Sequence, residues 1–170
     1  MPEHMMPSPK EHFLATYQRE HETTMRVLRA YPTDKLDLKP HELSKTAKEL
    51  AWVFVLERGL GTMAFTRQFP PPEGSGPPAA PESWDAILTA LEKAHNDYGN
   101  MIRSASDEDL NENITWFSGP KQLGEITRFQ LIWFLLLDQI HHRGQFSIYL
   151  RMAGGKVPSI YGPTADEPWR

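Results

Sequence analysis

The segment Arg128–Met152, RFQLIWFLLLDQIHHRGQFSIYLRM, is the most apolar long stretch of the chain and decides the predicted fold. Its apolar residues recur at steps of three and four, the spacing of one face of an α-helix. Gly154 and Gly155 follow the segment as natural helix stop signals. The pattern predicts a long helix over residues 128–152. Its predicted inward stripe is Leu131, Leu135, Asp138, His142, Gln145 and Tyr149.

Three further segments have helical periodicity, and each begins at a side chain that can cap a helix. The first runs from about residue 9 to 31 and follows Ser8, and the second runs from about 47 to 68 and follows Thr46. In both segments a glutamate three residues after the cap completes a capping box. The third helix is predicted to begin near Ser83. The chain therefore contains four long helical segments.

The connections between these segments are longer than tight helix–helix turns. Residues 69–82 contain PPPEGSGPP and predict a surface loop, because proline fits neither a regular helix nor a central strand. Residues 111–125 have a weak pattern and are predicted to form an irregular crossover. The tail, residues 157–170, is predicted to be irregular. Together these features predict one all-α domain over residues 1–170, a four-helix bundle with long crossover connections.

The composition excludes several classes of function. With no cysteine, the chain cannot form disulfides, cysteine-ligated zinc sites, iron–sulfur clusters or a thiol nucleophile. A formal net charge of -4 without a basic cluster argues against nucleic-acid binding. No apolar run reaches the roughly 18 residues of a membrane span, and residues 1–10 lack the apolar region of a signal peptide. We therefore expect a cytoplasmic protein with a small-molecule substrate and no nucleic-acid or membrane partner.

Three polar residues occupy positions that should face the bundle interior. Asp138 and His142 are four residues apart, so a helix places them on one face, and Glu57 interrupts the apolar stripe of the second helix. An unpaired charge in a core costs several kcal/mol. A divalent metal (Zn, Ni, Mn or Fe) would satisfy this donor set and leave a position open for water or substrate. The alternative is a buried polar network without metal that fixes the register of the helices.

Other polar residues around this cluster have simpler interpretations. His141 lies about 100° round the helix from His142, which indicates a supporting or surface role. Arg143 is expected to pair with a carboxylate or a backbone carbonyl. Gly144 costs a helix about 1 kcal/mol relative to alanine, which predicts that another helix approaches it closely. His21 and His95 fit core histidines better than metal ligands.

The run DQIHHRGQ at residues 138–145, followed by VPSIYGP at residues 157–163, resembles the DinB/YfiT-like family. ELAW at residues 49–52 adds to the resemblance. It implies a four-helix bundle with a long crossover, which is often a homodimer. It also implies a metal site of three histidines, one on the second helix and two on the fourth. Characterised relatives include transferases and isomerases that use mycothiol or bacillithiol as cosubstrate.

This sequence keeps one of the three family ligands and differs at the other two. His142 matches, whereas Val53 stands at the second-helix position and Asp138 at the first position on the fourth helix. Glu57 lies one turn beyond Val53 on the same face and can substitute for the missing ligand. We therefore predict a metal-dependent enzyme, a small-thiol-dependent transferase or isomerase, with ligands His142, Asp138 and Glu57. The alternative is a non-catalytic dimeric bundle, a stress or small-molecule-binding protein, in which the same cluster is structural and holds no metal.

Overall fold

The structure is a computed structural model that describes residues 6–170. Residues 1–5, which belong to the predicted domain and to the segment predicted to lack a signal peptide, lie outside the described part. Within residues 6–170 the chain forms four long α-helices, one short α-helix and a two-stranded sheet, with a single 3-10 turn at Thr33–Lys35 between the first two long helices. They are α1 (Pro9–Arg29), α2 (Ala47–Phe65), α3 (Trp84–Ser104), α4 (Asp107–Asn111), β1 (Asn113–Gly119), β2 (Gln122–Thr127) and α5 (Arg128–Met152).

The helix ends are set by local capping groups, as the sequence indicates. Ser8 and Thr46 each accept a hydrogen bond from a backbone N–H of the first turn, and the glutamate three residues later completes the capping box. Thr127 caps α5 in the same way with Gln130. Gly154 adopts φ 83°, the left-handed conformation that ends a helix and favours glycine. The predicted helices are therefore present, although α2 ends at Phe65 rather than near residue 68.

The packing of the helices defines the bundle topology. α2 packs against α3 and α5, and α1 packs against the same two helices from the opposite side. α1 and α2 therefore occupy diagonal corners of the bundle, and so do α3 and α5. Residues 30–46 and residues 105–127 connect these diagonal pairs. The four-helix bundle with long crossover connections is confirmed.

The prediction of an irregular crossover over residues 111–125 is wrong. This part of the chain forms the end of α4 and an antiparallel hairpin of β1 and β2. Ile114 and Trp116 alternate with exposed residues and pack into the core. The alternation covers too few residues to stand out in the sequence, and the Ser-Gly-Pro run leads into the tight turn at Pro120 and Lys121.

A polar layer divides the apolar core into two clusters at the middle of the bundle. One cluster contains Phe13 and Leu131, and the other contains Phe54 and Phe146. Every long helix contributes to the layer between them. Its buried members are Glu20, His21, Glu57, Arg58, His95, Gln139 and Arg143. The core therefore brings polar groups from all four long helices to one level of the bundle.

Gly61→Ala is expected to lower the free energy of unfolding by about 1–3 kcal/mol. A Cβ at this position would lie 2.6 Å from Leu135 Cδ1 and 2.9 Å from the Tyr98 hydroxyl oxygen, both in the core. Gly59→Ala on the same helix is the matched control. A Cβ there meets nothing within 4 Å, so alanine is expected to stabilise the helix by about 0.5–1 kcal/mol. Denaturant titration measures both, and equal effects would contradict tight packing at Gly61.

Candidate metal centre

The three predicted ligands meet at the edge of the polar layer, between α2 and α5. One oxygen each of Glu57 and Asp138 and one ring nitrogen of His142 all lie within 4.8 Å of one another. His142 Nε2 is 2.9 Å from Glu57 Oε1 and 3.7 Å from Asp138 Oδ2. Helical spacing brings these side chains together as expected. Their binding of a metal stays a prediction.

The cluster is closed on one side and open on the other. The Glu57 side chain is 8% exposed and that of His142 is 21% exposed, whereas Asp138 is 38% exposed. Glu57 therefore forms the inner wall of the site, and solvent or a substrate reaches it from the side of Asp138.

The donor atoms of the cluster fit a cation. Both carboxylate oxygens of Glu57 are buried, and apart from His142, whose Nε2 lies 2.9 Å from Oε1, no group of the described residues donates a hydrogen bond to them. His142 Nδ1 lies 3.1 Å from Gln145 Oε1, an atom that can only accept, so Nδ1 is the donor. The Nε2 lone pair then faces two carboxylates. Three acceptors that face one another need a positive charge among them, and a divalent ion meets that need.

The pKa shifts of Glu57 and His142 indicate that a proton competes with a metal ion for the site. Burial raises the pKa of the Glu57 carboxyl, and the adjacent Glu57 carboxylate raises the pKa of His142. Both directions favour a bound proton in the cluster. A proton shared by Glu57 and His142 is therefore the metal-free form of the site, which corresponds to the structural alternative.

The predicted inward stripe of α5 is rotated relative to the observed one. Gln145 is exposed, and Asp138 and His142 lie at the margin, whereas Gln139 and Arg143 are buried. The reason is that α5 packs against both α1 and α2, so its buried face is wider than one stripe and is centred between the two neighbours. The placement of Gln145 in the core is wrong.

The predicted close approach of another helix to Gly144 is also wrong. A Cβ at this position would meet no atom of another element of residues 6–170 within 4 Å.

The prediction that Arg143 pairs with a carboxylate or a carbonyl is confirmed. Its Nη1 lies 2.8 Å from Glu20 Oε2 and donates to the Glu20 carbonyl oxygen at 3.1 Å. Arg143 also donates to the hydroxyl of Tyr161, which in turn donates to Glu20 Oε2 at 2.6 Å. The VPSIYGP segment thus has a structural role, because its tyrosine closes a buried network between α1 and α5.

The polar layer contains groups that the sequence reasoning missed. Arg58 is 1% exposed, and it donates to the Tyr17 hydroxyl and the Phe54 carbonyl oxygen. Arg58 lies four residues after Phe54 and three before Gly61, and this helical spacing is the sequence signal that places it on the buried face of α2. His21 and His95 are core residues, as predicted, and their rings stack with centroids 3.7 Å apart.

These features define a class of protein, a helical bundle with an interhelical Glu/Asp/His cluster that can hold a metal ion. The family model of the DinB family matches residues 1–169, and the chain belongs to the DinB family. YrdA of Bacillus subtilis (strain 168), an uncharacterized protein, is 28% identical over 158 residues, which cover 92% of this chain and 90% of YrdA.

Solved structures of other DinB-like proteins have the same fold. A DinB-like protein from Bacillus cereus ATCC 10987 has a TM-score of 0.73 and 24% identity, over 88% of this chain and 95% of that chain. YfiT from Bacillus subtilis has a TM-score of 0.61 and 13% identity, over 92% and 94% of the two chains. YfiT is described as a probable metal-dependent hydrolase with an unusual four-helix bundle topology.

Among the residues that the structure describes, no helix combines the length and hydrophobicity needed to cross a membrane.

Proposed function

We propose that the protein is a metal-dependent enzyme that holds a divalent ion with Glu57, Asp138 and His142. The observation that supports this most strongly is the buried Glu57 carboxylate, which faces the other two donors and, among the described residues, has no partner apart from His142. The site lies at the α2–α5 interface, where helical spacing places the metal ligands of the family. The description of YfiT as a metal-dependent hydrolase agrees with metal chemistry in this fold.

We further propose that the reaction is the transfer of a small thiol to an electrophile. A divalent ion supplies a Lewis acid that lowers the pKa of a nucleophile at its open position. Two carboxylates in the donor set offset the charge of that ion, unlike three neutral histidines. A thiol, with an ordinary pKa of about 8.5, needs less assistance to ionise than water does. The assignment to a thiol-dependent transferase or isomerase rests on the family resemblance of residues 138–145 and 157–163, since characterised relatives include such enzymes.

The residues around the cluster have distinct roles in this proposal. Gln145 accepts from His142 Nδ1 and donates to His141 Nε2 at 2.9 Å, which holds the His142 ring in one tautomer. Glu57 closes the inner side against water. Val53, at the family's third ligand position, lines a surface cleft of about 500 Å³ with Trp52, Leu56, Pro77 and Pro78. None of Glu57, Asp138 and His142 lines this cleft, but Val53 lies one helical turn from Glu57, so we place the small-molecule substrate in the cleft with its reacting end directed past Val53 toward the cluster.

Protein purified without affinity tag or chelator is expected to contain a stoichiometric divalent metal. Added metal at a hundred times its Kd is expected to raise the Tm by about 5–10 °C, because an ion that binds only the folded state stabilises it. His142→Ala and Glu57→Gln are expected to lose at least tenfold in affinity for Zn²⁺, Ni²⁺, Mn²⁺ or Fe²⁺, as measured by calorimetry. His41→Ala, in an exposed loop, is the matched control and retains it.

The same variants separate the enzyme from the structural alternative. If the cluster is only a polar network, Asp138→Asn lowers stability while metal content stays low and unchanged in every variant. The reaction class is tested by following a low-molecular-weight thiol and a chloroarene, which form an S–C bond as chloride leaves. The chain has no cysteine, so a thiol reagent reports the added thiol alone. A metal-loaded protein without this activity argues against the transferase while leaving the metal site intact.

A further inference from the structure

Glu57 is a buried carboxylate whose two oxygens are both available to a ligand. Its side chain is 8% exposed, and Oε1 and Oε2 are both buried. Apart from His142, no group of residues 6–170 donates a hydrogen bond to either oxygen. Glu20, the other buried glutamate of the described chain, differs, because Arg143 and Tyr161 contact its Oε2 at 2.8 Å and 2.6 Å. Glu57 can therefore bind one ion with both of its oxygens.

The cluster then offers four donor atoms to an ion, and three of them are carboxylate oxygens. Glu57 supplies two oxygens, Asp138 supplies one oxygen and His142 supplies Nε2. Zn²⁺ is usually four-coordinate in proteins and suits nitrogen and sulfur donors, whereas Mn²⁺ suits carboxylate oxygens and water in an octahedral shell. Four donor atoms fill the shell of a tetrahedral ion, but they leave two positions open on an octahedral ion. A catalytic metal needs such an open position.

We propose that the centre is a Mn²⁺ site, in which both oxygens of Glu57, one oxygen of Asp138 and Nε2 of His142 bind the ion and two positions remain for water or substrate. Manganese at this centre presupposes the metal-dependent function proposed above, and it specifies the ion and the number of donor atoms. Asp138 is 38% exposed, whereas Glu57 closes the inner side of the cluster, so the open positions face solvent on the side of Asp138.

Charge does not distinguish between divalent ions at this centre, because two carboxylates neutralise any of them. The type of donor atom does distinguish between them. Zn²⁺ binds most sites of nitrogen and oxygen donors more tightly than Mn²⁺ does. The preference of the donor set therefore lies in the ratio of the two dissociation constants, Kd(Mn)/Kd(Zn), which falls with each oxygen donor and rises with each nitrogen donor. We expect a lower ratio for the natural chain than for a variant in which an imidazole replaces a carboxylate.

Asp138→His makes this exchange at one position of α5, one helical turn before His142. Calorimetric titration with Mn²⁺ and with Zn²⁺ is expected to show that Kd(Mn)/Kd(Zn) rises about tenfold or more in the variant. Asp97→His is the same exchange on α3, where the side chain of Asp97 is 62% exposed. It is the matched control and leaves the ratio unchanged. An unchanged ratio in Asp138→His would overturn the assignment to Mn²⁺.

Electron paramagnetic resonance of bound Mn²⁺ counts the donor atoms directly. At saturating Mn²⁺, the spin echo modulation is expected to show one coupled ¹⁴N nucleus in the natural protein, none in His142→Ala and two in Asp138→His. Line broadening by water labelled with ¹⁷O is expected to indicate two bound water molecules. Glu57→Gln, whose amide has one oxygen instead of two, is expected to bind an additional water molecule and to weaken Mn²⁺ binding about tenfold or more.

These measurements separate the identity of the ion from the existence of a metal centre, and none of them depends on a substrate. A natural chain that binds Zn²⁺ in a four-coordinate site, with a single oxygen of Glu57 bound, would overturn the assignment to Mn²⁺ and would support the metal-dependent function. A natural chain that binds neither ion would overturn both.

Discussion

Replacing Arg143 with methionine is expected to lower the free energy of unfolding by about 3–5 kcal/mol. Arg143 is 1% exposed and its partner Glu20 is 5% exposed, so the variant leaves the Glu20 carboxylate without its buried counter-charge. The remaining cation, Arg19, lies 3.7 Å from Glu20 Oε1 and is itself exposed to solvent. Arg143 and Tyr161 together offset the effect of burial and lower the pKa of Glu20. Loss of the guanidinium removes the contact at 2.8 Å and an additional hydrogen bond to the Glu20 carbonyl oxygen.

The control for this prediction is an ion pair between another residue of α5 and the C-terminal tail. Arg151 pairs with Asp166, and its side chain is 48% exposed. Arg151→Met is expected to cost far less than Arg143→Met, because solvent screens exposed pairs. The double variant Glu20→Gln with Arg143→Met is expected to be less destabilised than Arg143→Met alone, since no unpaired charge remains. Denaturant titration at pH 7 measures all three. Similar losses for Arg143→Met and Arg151→Met would contradict a buried ion pair.

The stability of the protein is expected to fall steeply as the pH drops from 6.5 to 5. Burial lowers the pKa of His21 to about 4, and burial and the neighbouring His21 lower the pKa of His95 to about 3. Between pH 6.5 and these values the unfolded chain binds more protons than the folded chain. The contribution of these two neutral histidines to the free energy of unfolding is therefore fully present above pH 6.5 and is lost as the pH falls. We expect a loss of about 1–2 kcal/mol per histidine at pH 5.

The double variant His21→Gln with His95→Gln isolates this effect. His142, whose pKa is raised, acts in the opposite direction, because its contribution is present below pH 6.5 and is lost at higher pH. The double variant keeps His142, so the difference in pH dependence of the free energy of unfolding between the variant and the natural protein comes from His21 and His95 alone. The free energy of unfolding of the double variant is therefore not expected to fall between pH 7 and 5, because the histidine that remains at the polar layer, His142, has a raised pKa. Ring ¹⁵N shifts provide a direct check, and a charged His21 or His95 in the folded protein at pH 5.5 would refute the assignment.

Local signals in the sequence determined most of the fold and the members of the candidate site. Capping residues and apolar spacing act over three or four residues, so they place α1, α2, α3 and α5 without knowledge of distant contacts. The same spacing puts Asp138 one turn from His142 and puts Glu57 on the buried face of α2. Helices of a bundle bury such faces against one another, and the meeting of these three side chains follows from that.

Only the tertiary structure decided how the buried charges are partnered. Arg143 and Glu20 are separated by 123 residues, and the contact depends on α1 and α5 lying side by side. The sequence indicates that Arg143 needs a partner, but it cannot name one. The hairpin at residues 113–127 and the rotation of α5 also depend on which neighbours surround each element. Periodicity fixes which face of a helix is apolar, whereas packing against two neighbours fixes how wide the buried face is and which polar groups it encloses.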